Sequence, residues 1–160
     1  MERKHTFAVT VEDRPGVLTH VVGLIARRGF NIDTINAGNC GEEDKTRICV
    51  VVDVADDDEL KQIYHQIAKL VEVVKVEDLT STPSINREMA LIKVSAPQEQ
   101  RSDIIDIVNI FRAKIVDVHP ETMVIEMTGD EDKIDAICLL LAETGIIEVV
   151  RSGKIAINRN

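Results

Sequence analysis

The alternation of apolar and polar residues predicts two successive groups of strands and helices. In the first group, apolar residues alternate over residues 6–12, change to helical spacing at Val17, and stop at Gly29. Strands at residues 31–37, 46–54 and 71–79 and a helix over 60–70 complete the group. The order strand, helix, strand, strand, helix, strand is typical of a ferredoxin-like unit, with an antiparallel four-stranded sheet and both helices on one face.

Two local patterns in this first group predict finer features. Ile32 and Ile35 are three residues apart in a strand, so they cannot share one face unless a bulge lies near Asp33 and Thr34. The acidic run at residues 56–59 precedes the second helix. Carboxylates stabilise a helix N-terminus by capping it and by opposing its dipole. The pattern therefore favours a helix start over a metal site.

The same order of elements recurs after a polar stretch at residues 80–86, which predicts a linker. Strands are predicted at residues 89–95, 114–119, 122–128 and 146–151, and helices over 104–111 and 134–141. We therefore predict an α+β protein with two ferredoxin-like βαββαβ units, at residues 4–79 and 87–160.

The loop between the first strand and the first helix, EDRPG, has the chemistry of a small-ligand site. Gly16 lets the backbone turn sharply and approach a guest, and the first turn of the helix offers unpaired N–H groups to a carboxylate. Asp13 is placed to take an ammonium group, and Val17, Leu18 and Ile32 to line a small apolar pocket. Asp-x-Pro-Gly is also an ordinary turn with Asp13 as a cap, and this alternative stays open. The matching loop of the second half, SAPQEQRS, has no glycine.

Composition narrows the classes of partner. The net charge of -9 opposes binding to nucleic-acid phosphate and to anionic lipid, so neither DNA nor a membrane is expected as a partner. No apolar run approaches the roughly 20 residues of a membrane span. Aromatic residues make up 2% of the chain and are missing from the third strand, which argues against an RNA-recognition domain.

Cysteine and histidine spacing indicates neither disulfides nor a metal site. Cys40, Cys49 and Cys138 are odd in number and lack CxxC spacing, as expected of thiols in a reducing cytoplasm. The four histidines are far apart, with no HxH or HExxH pattern. We therefore expect a cytoplasmic protein that holds no cofactor itself.

Residues 11–33, VEDRPGVLTHVVGLIARRGFNID, resemble the start of an ACT domain, a βαββαβ module that senses small ligands, often amino acids. Other motifs extend the resemblance over essentially the whole chain. They are RRGFNI, REMALIKV, FRAKIVDVHPETMVIEMTG and IIEVVRSGKIAINR, and together they resemble the small, regulatory subunit of acetolactate synthase.

This resemblance implies a non-catalytic subunit that activates a catalytic partner and confers feedback inhibition in branched-chain amino acid biosynthesis. The effector, usually valine, would lie between the ACT units of a homodimer, with Asp13 and Gly16 on one subunit and Asn31 on the other. The family often has Asn where this chain has Asp13, so the polar geometry at that position is open. Thiamine diphosphate, Mg²⁺ and usually FAD belong to the catalytic subunit.

Two other functions share the same predicted fold. A stand-alone ACT regulator of a different enzyme would have the same ligand chemistry with another partner. An acylphosphatase-like hydrolase would use Arg14 to hold a phosphate, but Glu12 and Asp13 beside it would repel an acyl phosphate.

Overall fold

The computed structural model describes residues 3–160 and divides the chain into two units. The first unit contains the described residues up to Asn86 together with Lys154–Asn160, and the second contains Arg87–Gly153. Each unit has an antiparallel sheet with two α-helices packed on one face. The ferredoxin-like prediction is therefore confirmed for both halves.

The first unit has the six predicted elements in the predicted order. They are β1 (Arg3–Glu12), α1 (Val17–Arg27), β2 (Ile32–Asn39), β3 (Lys45–Val54), α2 (Asp57–Ala68) and β4 (Val73–Asp78). The strand order is β2-β3-β1-β4, which leaves β2 and β4 at the sheet edges.

The core of the first unit lies between this sheet and its helices. Alternate residues of β1, namely Phe7, Val9 and Val11, point toward Val21 and Ile25 of α1 and are fully or almost fully buried. The central strands carry mostly β-branched residues, which pack well on a pleated sheet. The sequence pattern predicted this packing, because it placed apolar residues at every second position of the strand and at helical spacing in α1.

Both finer predictions for this unit are confirmed. The register of β2 on β3 shifts between Ile32 and Thr34, so a bulge lies where the two isoleucines required one. The carboxylate of Asp56 accepts hydrogen bonds from the backbone N–H groups of Asp58 and Glu59 at 3.0 and 2.9 Å. The acidic run is therefore the start of α2.

The second unit repeats the arrangement. Its elements are β5 (Ser84–Ser95), α3 (Arg101–Phe111), β6 (Lys114–Val118), β7 (Thr122–Gly129), α4 (Glu131–Leu141) and β8 (Ile146–Arg151), with short 3₁₀ turns before α3 and after α4. The strand order β6-β7-β5-β8 matches that of the first unit element by element. β5 begins at Ser84, so the last three residues of the predicted linker are strand.

A buried ion pair ties the edge strand of the second unit to its centre. The guanidinium of Arg151 on β8 donates to both carboxylate oxygens of Glu88 at 2.9 and 2.8 Å, and to Asp135 of α4 at 2.7 Å. Glu88 is 4% exposed, so loss of Arg151 would leave a buried carboxylate without its main partner. These bonds raise the pKa of Arg151 further above its ordinary value.

The last strand, β9 (Ile155–Asn158), was not predicted. Its residue Ala156 packs with Ala8, Cys49 and Leu79 on the sheet face of the first unit that the helices leave open. The backbone carbonyl of Ala156 accepts a hydrogen bond from Arg47 at 3.1 Å. Residues 154–160, which the sequence placed in the second domain, therefore pack with the first unit.

Candidate functional site at the start of the first helix

The loop from β1 to α1 is held by backbone hydrogen bonds to two neighbouring loops. The N–H of Glu12 donates to the carbonyl of Glu72 at 2.9 Å, and the N–H of Asp13 donates to the carbonyl of Asp44 at 2.8 Å. The side chains of Arg14 and Glu12 form an ion pair at the surface. The loop is thus fixed in place while the side chain of Asp13 stays exposed.

Gly16 ends this loop in a conformation that other residues rarely adopt. Its φ of 87° lies in the left-handed region, and a Cβ added there would meet only open space. Gly16 is the N-cap of α1 and supplies no side-chain cap. The backbone N–H groups of Leu18 and Thr19 donate to no acceptor among the described residues. The first turn therefore presents two unpaired donors and the positive end of the helix dipole.

The other helix starts show how unusual this opening is within the chain. The side chain of Asp56 caps α2, and the carboxylate of Asp130 caps α4 by accepting from the N–H of Lys133 at 2.9 Å. At α3, the side chain of Arg101 folds back across the loop. A carboxylate from outside is therefore accommodated best at the start of α1.

The predicted apolar lining divides between the surface and the core. Leu18 is 45% exposed beside the open N–H groups, so it offers an apolar contact to a ligand. Val17 is 4% exposed and belongs to the core, and Ile32 is half-buried against the same core. Of the three predicted apolar residues, the structure therefore places one at the surface of the open loop.

Asn31 lies at the other end of α1 from Gly16, about 16 Å away along an eleven-residue helix. Its side-chain amide donates to the carboxylate of Asp53 at 2.8 Å, and the N–H of Asp53 donates to its carbonyl at 3.2 Å. Within one chain the structure brings Asp13, Gly16 and Leu18 together and leaves Asn31 apart.

A contact between a histidine and a carboxylate lies next to the loop and was not predicted from the sequence. The Nδ1 atom of His20 on α1 lies 2.8 Å from the carboxylate of Glu72, whose backbone carbonyl also holds the loop. Backbone hydrogen bonding, followed by the bond to His20, lowers the pKa of Glu72. The two residues are 52 positions apart, so no local pattern could have paired them.

Residues 3–160 contain neither a metal-binding cluster nor a membrane-spanning helix. In that range no three His, Cys, Asp or Glu side chains come together as a possible metal site. Of the helices in the same range, none is long and apolar enough to cross a membrane.

Comparison with known proteins gives matches over both halves. A family model described as the AHAS small subunit-like ACT domain matches residues 7–75, and one described as the small subunit of acetolactate synthase matches residues 87–160. A solved structure from Thermotoga maritima, the acetolactate synthase small subunit, has a TM-score of 0.89 and 41% identity. The match covers 99% of this chain and 98% of that one.

Sequence relatives agree with these matches over nearly full length. The Archaeoglobus fulgidus protein named "Probable acetolactate synthase small subunit" is 47% identical, with 98% of this chain and 97% of the relative covered. The acetolactate synthase small subunit of Mycobacterium bovis is 42% identical, with 98% and 93% covered.

Proposed function

Because this chain belongs to the acetolactate synthase small-subunit family, we propose that it is the non-catalytic regulatory subunit of that enzyme. In this role it activates the catalytic subunit and makes it sensitive to feedback inhibition by a branched-chain amino acid. The proposed effector is valine. The observation that carries the proposal is the open start of α1, where unpaired N–H groups lie beside an exposed carboxylate. The partner is the catalytic subunit, which carries thiamine diphosphate, Mg²⁺ and usually FAD.

The charges of the open loop complement those of a free amino acid. The ligand's carboxylate accepts from the N–H groups of Leu18 and Thr19, where the helix dipole also favours negative charge. Its ammonium group pairs with the exposed carboxylate of Asp13. An aliphatic side chain then lies against Leu18. Asp13 carries a full charge where the family often has Asn, and this strengthens the attraction for an ammonium group.

A second copy of the chain supplies Asn31 in this proposal. β2 is an edge strand, so its outer N–H and carbonyl groups can pair with a second β2. In an antiparallel pair across a two-fold axis, the Ile32 end of one β2 meets the Asn39 end of the other. Asn39 pairs with Thr46 of β3. The residue before Thr46 is Lys45, and it pairs with Glu12, which immediately precedes Asp13. Asn31 of one copy is thereby brought to the Asp13 loop of its partner.

A ligand shared by two copies has a direct route to regulation. It stabilises whichever dimer arrangement brings the two halves of the site together, by its difference in affinity for the arrangements. Inhibition of the catalytic subunit then follows if that subunit also distinguishes the arrangements, and the coupling acts equally in both directions.

The proposed location is the cytoplasm. Its reducing conditions suit the three cysteines, which are all free.

Calorimetry of the purified chain with L-valine tests this proposal. We expect saturable binding that Asp13→Ala weakens about tenfold or more, since it removes a charge-assisted bond. Asp106→Ala is the matched control, because it removes an exposed carboxylate from α3 in the second unit. In parallel, the chain should increase the activity of the catalytic subunit, and valine should decrease it.

The outcomes separate the proposal from its alternative. No heat with valine, leucine or isoleucine would contradict the effector site and leave EDRPG as a structural turn. Valine binding without capture or activation of the catalytic subunit would instead favour a stand-alone ACT regulator of another enzyme.

A further inference from the structure

A cleft lies at the opposite end of the first sheet from the Asp13 loop. It is formed where the start of β1 meets the first turns of α2 and the residues after β4. Its volume is about 510 Å³, within the range of about 300–1,000 Å³ usual for small-molecule pockets. The lining residues that matter here are Arg3, Lys4, His5, Lys61 and Thr80.

His5 lines this cleft, and its ring carries an unpaired polar atom. The side chain is 7% exposed. Its Nδ1 atom is shut off from solvent and has no hydrogen-bond partner among the described residues. Buried polar atoms are paired in nearly all structures, because an unpaired one forfeits its hydrogen bond to water. A turn of the ring would bring Nδ1 to an acceptor that enters the cleft.

The charge of the lining is positive although the chain as a whole carries -9. Three basic residues line the cleft against one carboxylate, Asp57. The Nη2 atom of Arg3 lies 3.2 Å from Oδ1 of Asp57. The Nζ atom of Lys4 lies 3.1 Å from Oδ2 of Asp33. Both cations are well exposed, and exposed pairs are weak enough for a bound anion to share them. Lys61 has no partner among the described residues.

The residues after β4 add a hydroxyl donor. The Oγ1 atom of Thr80 accepts from the backbone N–H of Thr6 at 2.8 Å, so its own proton is left to donate. The nearby carboxylate of Asp78 is engaged by the N–H groups of Thr80 and Ser81 and by the Ser81 hydroxyl at 2.6 Å. Its negative charge is therefore partly satisfied by these donors.

We propose that this cleft is a second ligand site, which binds the phosphate group of a small molecule between His5, Arg3, Lys61 and the Thr80 hydroxyl. A doubly charged oxyanion offsets the excess of basic residues and accepts from several donors at once, whereas a single carboxylate would leave part of that charge unbalanced. The cleft is larger than inorganic phosphate needs, which leaves room for the organic part of a phosphate ester. This site is separate from the proposed valine site and does not depend on it.

Amide NMR titration with inorganic phosphate, without valine, tests the site. Acetate is exchanged for phosphate at constant ionic strength. We expect saturable shifts at His5, Lys61 and Thr80 and none at Gly16. Lys61→Gln should weaken binding up to about fivefold, and His5→Phe about tenfold or more. Lys69→Gln removes the same charge from the exposed end of α2 outside the cleft and should leave binding unchanged.

A second arm compares inorganic phosphate with glycerol 3-phosphate. Tighter binding of the ester supports a phosphorylated metabolite as the ligand, and equal binding supports free phosphate. Shifts that never saturate, or equal weakening by Lys61→Gln and Lys69→Gln, would overturn the proposal. Because Lys61 is exposed, its variant gives a result even if His5→Phe does not fold.

Discussion

The two halves of the molecule share one topology but treat the loop before their first helix in opposite ways. In the first unit, backbone bonds fasten the loop, and Gly16 leaves the helix start open. In the second unit, the guanidinium of Arg101 donates to the carbonyls of Ala96, His119 and Pro120 at 3.1, 2.7 and 2.7 Å. The first loop leaves its helix start open, whereas a side chain braces the second loop.

This difference shows which part of an open helix start comes with the fold. The βαββαβ order brings a helix N-terminus to the end of a central strand in both units. Whether that N-terminus is available depends on two or three side chains in the loop. The halves therefore differ at residues 13–18, although their sheets match strand for strand.

The largest effect on stability is expected from removing the side chain that braces the loop before α3. Arg101→Met removes three hydrogen bonds from a charged donor and should destabilise the second unit by about 2 kcal/mol. Arg14→Met is the counterpart in the first loop. Arg14 forms its ion pair with Glu12 at the surface, so its loss should cost about 0.5 kcal/mol or less. Urea unfolding, with hydrogen exchange to assign each change to a unit, measures both.

Equal destabilisation by the two substitutions would contradict the comparison. It would mean that the first loop depends on its arginine as much as the second, so that the backbone bonds of Asp13 and Glu12 do not suffice to hold it.

A smaller effect on stability is expected from two glycine substitutions. Together they distinguish backbone strain from obstruction of the proposed valine site. Gly16→Ala and Gly29→Ala each put a Cβ at a left-handed residue where nothing lies within 4 Å. Each should therefore cost about 1 kcal/mol of stability. Only Gly16→Ala places a methyl group beside the open N–H groups, so only that variant should weaken valine binding in calorimetry. If both weaken binding alike, the loss reflects stability and the effector does not approach Gly16.

A pH-dependent effect is expected at Arg47, which lies on the sheet face of the first unit opposite the helices. Hydrogen bonds from Lys75 and then Arg47 lower the pKa of Glu77 below 4.5. The stability from this carboxylate is present above pH 4.5 and is lost as pH falls toward the lowered pKa. The cost of Arg47→Met, about 1 kcal/mol near pH 7, should therefore decrease in acid.

Arg101→Met is the control for this pH dependence, because carbonyl acceptors do not titrate in that range. Its cost should stay constant between neutral and mildly acidic pH. A constant cost for Arg47→Met as well would show that its bond to the Ala156 carbonyl is the contact that matters.

Local patterns in the sequence predicted most of the fold. Strand and helix periods, the β2 bulge between Ile32 and Thr34, and the Asp56 cap depend on neighbours a few residues apart. Gly16 could also be recognised, because a glycine between a strand and a helix marks a sharp turn.

The features that escaped prediction depend on contacts between distant segments. β9 is four residues long and is held by Arg47 more than 100 positions away. The partner of Arg151 is Glu88, 63 positions away. The position of Val17 in the core also could not be separated from pocket lining, because both roles call for an apolar residue at the start of α1.

The central claim is that one effector site takes Asp13 from one copy and Asn31 from another, and mixing two inactive variants tests it most directly. Asp13→Ala and Asn31→Ala should each bind valine weakly as pure proteins. After unfolding and refolding together in equal amounts, half of the dimers are mixed, and each of these has one site with both native residues. We predict that about a quarter of the sites regain native affinity. No recovery in dimers shown to be mixed would contradict the shared site and place both residues' effects within a single chain.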